Sequence, residues 1–303
     1  MAFHTVYAVI PLFLYELGAP SGIAVSVGGL FSFLIAAPQL ISAILWRNIR
    51  NLKLAVLFVH TLVWVPLFIM GFIFTFFSPS GTSSWTFYLF LFVFYGLGLG
   101  VVIPVWVDFL SAVTLRRARG TFFGLSFALG GFGSFLGGIL LRYLLKSDMP
   151  FPQNFGVGFF IFCFSTIIAT VVYIGYRVNE NHPKRNPLLL KEFLALAKTI
   201  INDHKNFQKY ILSRIFCCAH LPAVSLYPVY CQQKFEFDIS EAGTFTIISV
   251  IASGCASYFT GMMGQRFGYK SGMVFFCLSH FLAVLLAIFS QNMVWVYAIF
   301  LCI

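Results

Sequence analysis

Long apolar runs separated by short polar connections fill the chain almost from end to end. An α-helix rises about 1.5 Å per residue, so roughly 20 apolar residues cross a hydrocarbon core. On that measure the pattern predicts ten helical segments: 2–17, 22–46, 53–77, 85–109, 121–145, 154–177, 207–233, 239–263, 271–290 and 293–303. The first is short. The last is too short to cross, and the chain stops inside it. The runs are continuously apolar rather than alternating, which excludes a bacterial outer-membrane barrel. The one long connection is 178–206. In it Asn186-Pro187 suits a helix start, and Leu189, Phe193, Leu196 and Ile200 recur at helical spacing. This predicts an amphipathic helix on the membrane surface, or a regulatory binding helix.

Composition agrees with a lipid setting. Of 303 residues, 60% are hydrophobic and 9% charged, against roughly a quarter charged in soluble domains. The net charge of +10 does not point to nucleic acid, because the basic residues are dispersed among the connections. Every even-numbered connection is basic: Arg47, Arg50 and Lys53; then Arg116, Arg117 and Arg119; then the 178–206 segment; then Arg266 and Lys270. The odd ones are neutral, mixed or acidic. By the positive-inside rule the N-terminus and the long connection are cytoplasmic in a multi-pass membrane protein. The seven cysteines form no CxxC pair and read as small residues of membrane helices, so neither a metal nor a cofactor is expected. The first run lacks the basic start of a signal peptide and reads as a membrane helix.

The stretches before and after the long connection are alike. Pro11 and Pro228 occupy matching places in the first and seventh segments, and the basic loops ending at Lys53 and Lys270 follow the second and eighth. Both pairs are offset by 217 residues. Such a repeat implies two parallel six-helix halves, here 1–177 and an incomplete 207–303 around the 178–206 loop. It also predicts that the last two to three helices of a twelve-helix protein are absent.

At Gly261-Met262-Met263-Gly264-Gln265-Arg266-Phe267-Gly268-Tyr269-Lys270 the chain resembles the loop motif of the major facilitator superfamily. Asp108 followed by Arg116, Arg117, Arg119 and Gly120 is similar to that family's link between spans four and five. Asn206 through Arg214 is similar to its start of span seven. Gln265 stands where the motif has an acid and Tyr269 where it has an arginine, so the cytoplasmic latch the resemblance implies lacks its acid here. The resemblance implies an all-α 6+6 bundle and transport of a small solute by alternating access. It places spans one, four, seven and ten around a central cavity, with Tyr7, Trp106, Asp108, Arg214, His220 and Tyr227 as lining residues. It assigns Gly261, Arg266, Gly268, Lys270, Arg116, Arg117 and Arg119 to a cytoplasmic gate.

Ionisable groups inside spans are costly and mark function or pairing. Asp108 either pairs with the nearby arginines or binds substrate or a proton. Arg214 either snorkels to the interface or anchors an anionic substrate. His220, beside Pro222, either packs with a hydrogen bond or relays a coupling proton. Pro222 and Pro228 are expected to bend span seven. Small residues form stripes in span five, including Gly133 and Gly137, and in span eight at Ser249, Ser253, Ser257 and Gly261. They predict close helix packing, and the resemblance makes spans five and eight the contact between halves. No catalytic constellation or P-loop is present in the sequence. Two other readings stay open: a ten-helix 5+5 carrier, and a non-transporting truncated membrane protein such as a relic, scaffold or sensor.

Overall fold

The computed structural model describes residues 2–46, 51–115, 119–178, 190–218 and 220–303. Among the described residues all regular structure is helical. The helices are α1 (Val9–Glu16), α2 (Ser21–Leu45), α3 (Leu52–Phe76), α4 (Thr82–Val113), α5 (Arg119–Lys146), α6 (Gln153–Val172), α7 (Leu190–Asp203), α8 (Lys205–Cys218), α9 (Leu221–Phe235), α10 (Glu241–Phe267), α11 (Tyr269–Phe289) and α12 (Met293–Cys302). Six of them are long and apolar enough to cross a membrane: α2, α3, α4, α6 with the turn after it, α10 and α11. α5, with 28 residues, has matching length.

The first six segments pack tightly. α3 lies between α4 and α6, and α2 lies on α4. Small residues permit this: a Cβ at Gly98 would stand 2.5 Å from the Leu62 carbonyl oxygen, so the α3 and α4 backbones meet directly. Side-chain donors cross between helices where no water competes. Ser42 Oγ donates to Val101 O at 2.7 Å, and Cys163 Sγ to Trp64 O at 3.4 Å. At the centre Phe13 of α1 meets Phe155, Tyr88, Phe74 and Phe159 with ring centroids 4.8–5.2 Å apart. The outward surface stays apolar; Leu45 is 73% and Val294 70% exposed. Water would penalise such a surface, and lipid tails do not.

Two expected segments are not single helices. The first is a 3₁₀ turn, Ala2–His4, followed by the eight-residue α1. The chain turns between them because Thr5 accepts the Val9 N–H on its Oγ1 at 3.1 Å and the Ile10 N–H on its carbonyl at 2.9 Å. The seventh, 207–233, is described as two helices, α8 to Cys218 and α9 from Leu221, with a turn at His220; residue 219 lies outside the described residues. Pro222 falls in the first positions of α9, where its missing N–H costs nothing. Pro228 sits inside α9 without ending it.

α7 has its apolar side chains on one face, and none of its residues is buried. Phe193, Leu196 and Ile200 of the expected stripe lie on it, while Asn186, Pro187 and Leu189 lie outside the described residues. Gln208 Nε2 donates to Ile201 O at 2.9 Å and pins the corner between α7 and α8.

Candidate functional site

α5 and α10 form an antiparallel seam whose two ends differ. Where the end of α5 meets the start of α10, the helices touch through glycine. A Cβ at Gly138 would stand 2.7 Å from Ile247 Cγ1, and one at Gly243 2.6 Å from Arg142 Cβ. Arg142 Nη2 lies 3.7 Å from Glu241 Oε1, and Tyr297 of α12 donates to Glu241 Oε2 at 3.1 Å. Ser249 donates to Phe300 O at 3.1 Å. Lys234 Nζ, at the end of α9, donates to Ser290 O at 2.7 Å beyond the end of α11. This end is closed.

The other end is parted. A Cβ at Gly130, Gly131, Gly133 or Gly254 would meet nothing within 4 Å. Leu125, Leu129 and Phe132 of α5 and Ile251, Tyr258 and Phe259 of α10 are exposed. Ser253 and Ser257 are exposed as well, and donate to Val250 O and Ser253 O of their own helix. The small-residue stripes therefore pack along only part of their length. Contact between α5 and α10 comes from Gly138 and Gly243, while Ser249 bonds α12 and Gly133, Ser253 and Ser257 face the parted stretch. Gly137 faces the start of the chain, where its Cβ would stand 2.9 Å from Ala2 Cβ.

The His220 turn in the seventh segment sits beside α11. His220 precedes α9 and its carbonyl accepts the Val224 N–H at 3.2 Å. Its imidazole stands edge-on to His280 of α11, centroids 4.3 Å apart, and to Phe276 at 4.9 Å. Phe276 and His280 are 4.1 Å apart. His280 Nδ1 reaches Phe276 O at 3.0 Å. A carbonyl oxygen only accepts, so Nδ1 carries the hydrogen and Nε2 of His280 has the free lone pair. Sequence reasoning missed His280. Its partner is 60 residues earlier, and a single histidine in an apolar run carries no signal of pairing.

The other expected lining residues have different immediate neighbours. Tyr7 is half-buried beside Val6, whose carbonyl accepts from Ser225 Oγ at 2.6 Å. Tyr227 is buried on α9. Together these residues bring the first segment against the second part of the seventh. Trp106 Nε1 donates to Tyr173 OH at 2.9 Å, which ties α4 to the turn after α6. Asp108 is half-buried two residues further along α4, and its carbonyl accepts from Ser111 Oγ at 2.7 Å. Arg214 is exposed on α8, six residues before His220.

Of the expected gate, Arg116, Arg117 and the Arg119 side chain lie outside the described residues, and Gly261 is described only as part of α10. Arg266 and Lys270 are exposed. Gly268 joins α10 to α11 at φ +84°, a conformation that favours glycine, and its carbonyl accepts from Ser271 Oγ at 2.7 Å. A second histidine that sequence reasoning passed over is His4. Its Nε2 contacts Tyr88 OH at 3.0 Å inside a ring of Phe92, Tyr95, Phe159 and Phe162. Among the described residues no group of three or more His, Cys, Asp or Glu is arranged to hold a metal ion.

Comparison with known proteins agrees with this helical plan. The family model described as Major Facilitator Superfamily matches residues 1–303. No curated protein matches the chain.

Proposed function

Since this chain belongs to the Major Facilitator Superfamily, whose members carry small solutes across membranes, we propose that it does so by alternating access between residues 1–177 and 207–303. The observation that carries the mechanism is the seam. α5 and α10 touch at Gly138 and Gly243 and stand apart around Gly133 and Gly254. A seam closed at one end and parted at the other is what a rocking pair of helical halves presents in one of its end states. The parted end adjoins the basic connections before Arg119 and after Arg266, so it faces the cytoplasm. The state is then inward-facing, and helix contact at Gly138 and Gly243, with the Arg142–Glu241–Tyr297 contacts beside it, holds the opposite side shut. The solute passes the seventh segment, where α8 and α9 meet at the His220 turn.

The test combines flux with a lock. The protein is reconstituted in liposomes and screened for uptake across a broad panel of small solutes. Cysteines replacing Gly133 and Ser253, in a background without the native cysteines, are then bridged with bifunctional maleimides. A short bridge that draws the parted end together should stop flux, and a cleavable one should restore it on reduction. Flux that continues at its full rate through a bridged seam refutes alternating access. A panel with no flux in the unbridged protein refutes transport itself.

A further inference from the structure

We propose that His220 and His280 form a proton site that holds one proton between them and couples its movement to that of the solute. The coupling half of this rests on the transport function above. α8, α9 and α11 contain no aspartate or glutamate. Away from the lysines at their ends, the ionisable groups on these helices among residues with described side chains include Arg214, Tyr227, Cys231, Cys277 and His280, with His220 at the turn. Arginine stays charged, and tyrosine and cysteine ordinarily titrate well above neutrality. Imidazole is the group that changes charge in the physiological range. α10, packed on α11, brings Glu241 and Arg266 near its two ends; Glu241 is engaged by Tyr297 and Arg142.

The geometry fits one proton, not two. The rings are edge-on with centroids 4.3 Å apart. Two like charges at that separation repel strongly away from bulk water. One charge is favoured, because the Phe276 ring stands 4.1 Å from His280 and 4.9 Å from His220, within cation–π range of both. With Nδ1 of His280 committed to Phe276 O, the arriving proton binds Nε2. It is taken from a hydronium ion, an O–H bond breaking as the N–H bond forms, and it is returned to water by the reverse exchange, with no change of oxidation state.

The position also supplies a lever. The pair joins the His220 turn between α8 and α9 to α11, and α8 also meets α11 through Ser213 Oγ, 3.9 Å from Met273 Sδ. Phe207, Tyr210, Leu212, Ile215 and Phe216 of α8 are exposed. Charging the pair therefore changes an attachment between the start of α9 and α11.

The chain is labelled with ¹⁵N-histidine in lipid nanodiscs and titrated by NMR between pH 4.5 and 8.5, with His220→Gln and His280→Gln assigning the signals. Proton uptake at one histidine should shift the other's signal, and each substitution should move its partner's midpoint. Imidazoles that titrate identically with the partner present or replaced overturn the shared site, as do imidazoles that take no proton in this range. In liposomes, an acid-outside gradient should raise uptake, and either substitution should cut that stimulation at least tenfold, with His280→Gln leaving solute exchange at equal pH in place. Stimulation that survives both substitutions, or wild-type flux indifferent to the gradient, overturns the coupling. Absence of all flux in wild type rejects the transport function instead, and the titration alone then decides whether the pair holds a proton.

Discussion

Arg142 makes two kinds of contact across the seam, and they differ in strength. Its guanidinium is 3.7 Å from Glu241, and the side chain is 43% exposed. An ion pair of that length with one partner largely open to solvent stabilises by about 1 kcal/mol or less, although the Glu241 side chain is only 15% exposed. Its Cβ would lie 2.6 Å from a Cβ at Gly243, and its Cα and backbone N 2.7 Å away. Those atoms belong to a helix backbone and cannot swing aside, so overpacking there costs about 1–3 kcal/mol or more. Packing, more than charge, keeps this end shut. A reporter cysteine replacing the buried Thr246 measures the difference by its rate of maleimide labelling. Glu241→Gln should raise the rate by less than about fivefold, since 1 kcal/mol is about a factor of five. Gly243→Leu should raise it by about tenfold or more. The reverse order would show that the ion pair controls closure. The sequence revealed this seam only in part. Small residues at helical spacing marked α5 and α10 as closely packing helices, but spacing does not tell which stretch of a stripe is in contact. Gly138 and Gly133 look alike in the chain and differ only in what the other helix places opposite them.

Helix positions were the most readable feature, because a membrane allows few other structures for a long apolar run. The expected 22–46 and 53–77 correspond to α2 at Ser21–Leu45 and α3 at Leu52–Phe76. The seventh segment defeated that approach because its hydropathy runs on through His220, where the described structure has a turn before α9 begins at Leu221. Apolar content reports where a chain can lie in lipid. It says nothing about whether hydrogen bonding between successive turns is unbroken. α7 is the opposite case, since its periodicity was visible and its packing is minimal. Its apolar residues Leu190, Leu194, Leu196, Ile200 and Ile201 are exposed, and each gains about 1.5–3 kcal/mol when fully buried. A lipid surface accounts for such a face. With a fluorophore on a cysteine at Ala197, brominated lipids should quench the probe. The double substitution Leu194→Asp and Ile201→Asp should reduce quenching at least fivefold. A probe unquenched in the parent protein would place α7 in water.

At the scale of the whole molecule, the connections follow from the count of crossings. α5 runs 28 residues from Arg119 to Lys146, and α10 runs 27 back from Glu241 to Phe267. At about 1.5 Å per residue each rises roughly 40 Å, which exceeds the hydrocarbon thickness. They are antiparallel at the seam, since Gly138 faces Ile247 while Arg142 faces Gly243. The start of α5 and the end of α10 therefore share a side, and Leu115 and Ser271 lie just beyond them. Asp148 and Glu236 belong to the other side. Basic residues are retained on the cytoplasmic face during insertion, and Arg119, Arg266 and Lys270 fall with Leu115 and Ser271. Single cysteines at Leu115 and Ser271, in the background lacking the seven native cysteines, should resist an impermeant maleimide applied to intact cells and react after permeabilisation. Cysteines at Asp148 and Glu236 should react in intact cells. Reversal of all four would leave the bundle intact and turn the parted end outward, making the structure an outward-facing state. A split within either pair would leave an odd number of crossings between connections that the seam requires to share a side. That would remove both the antiparallel α5–α10 contact and the two-half mechanism built on it.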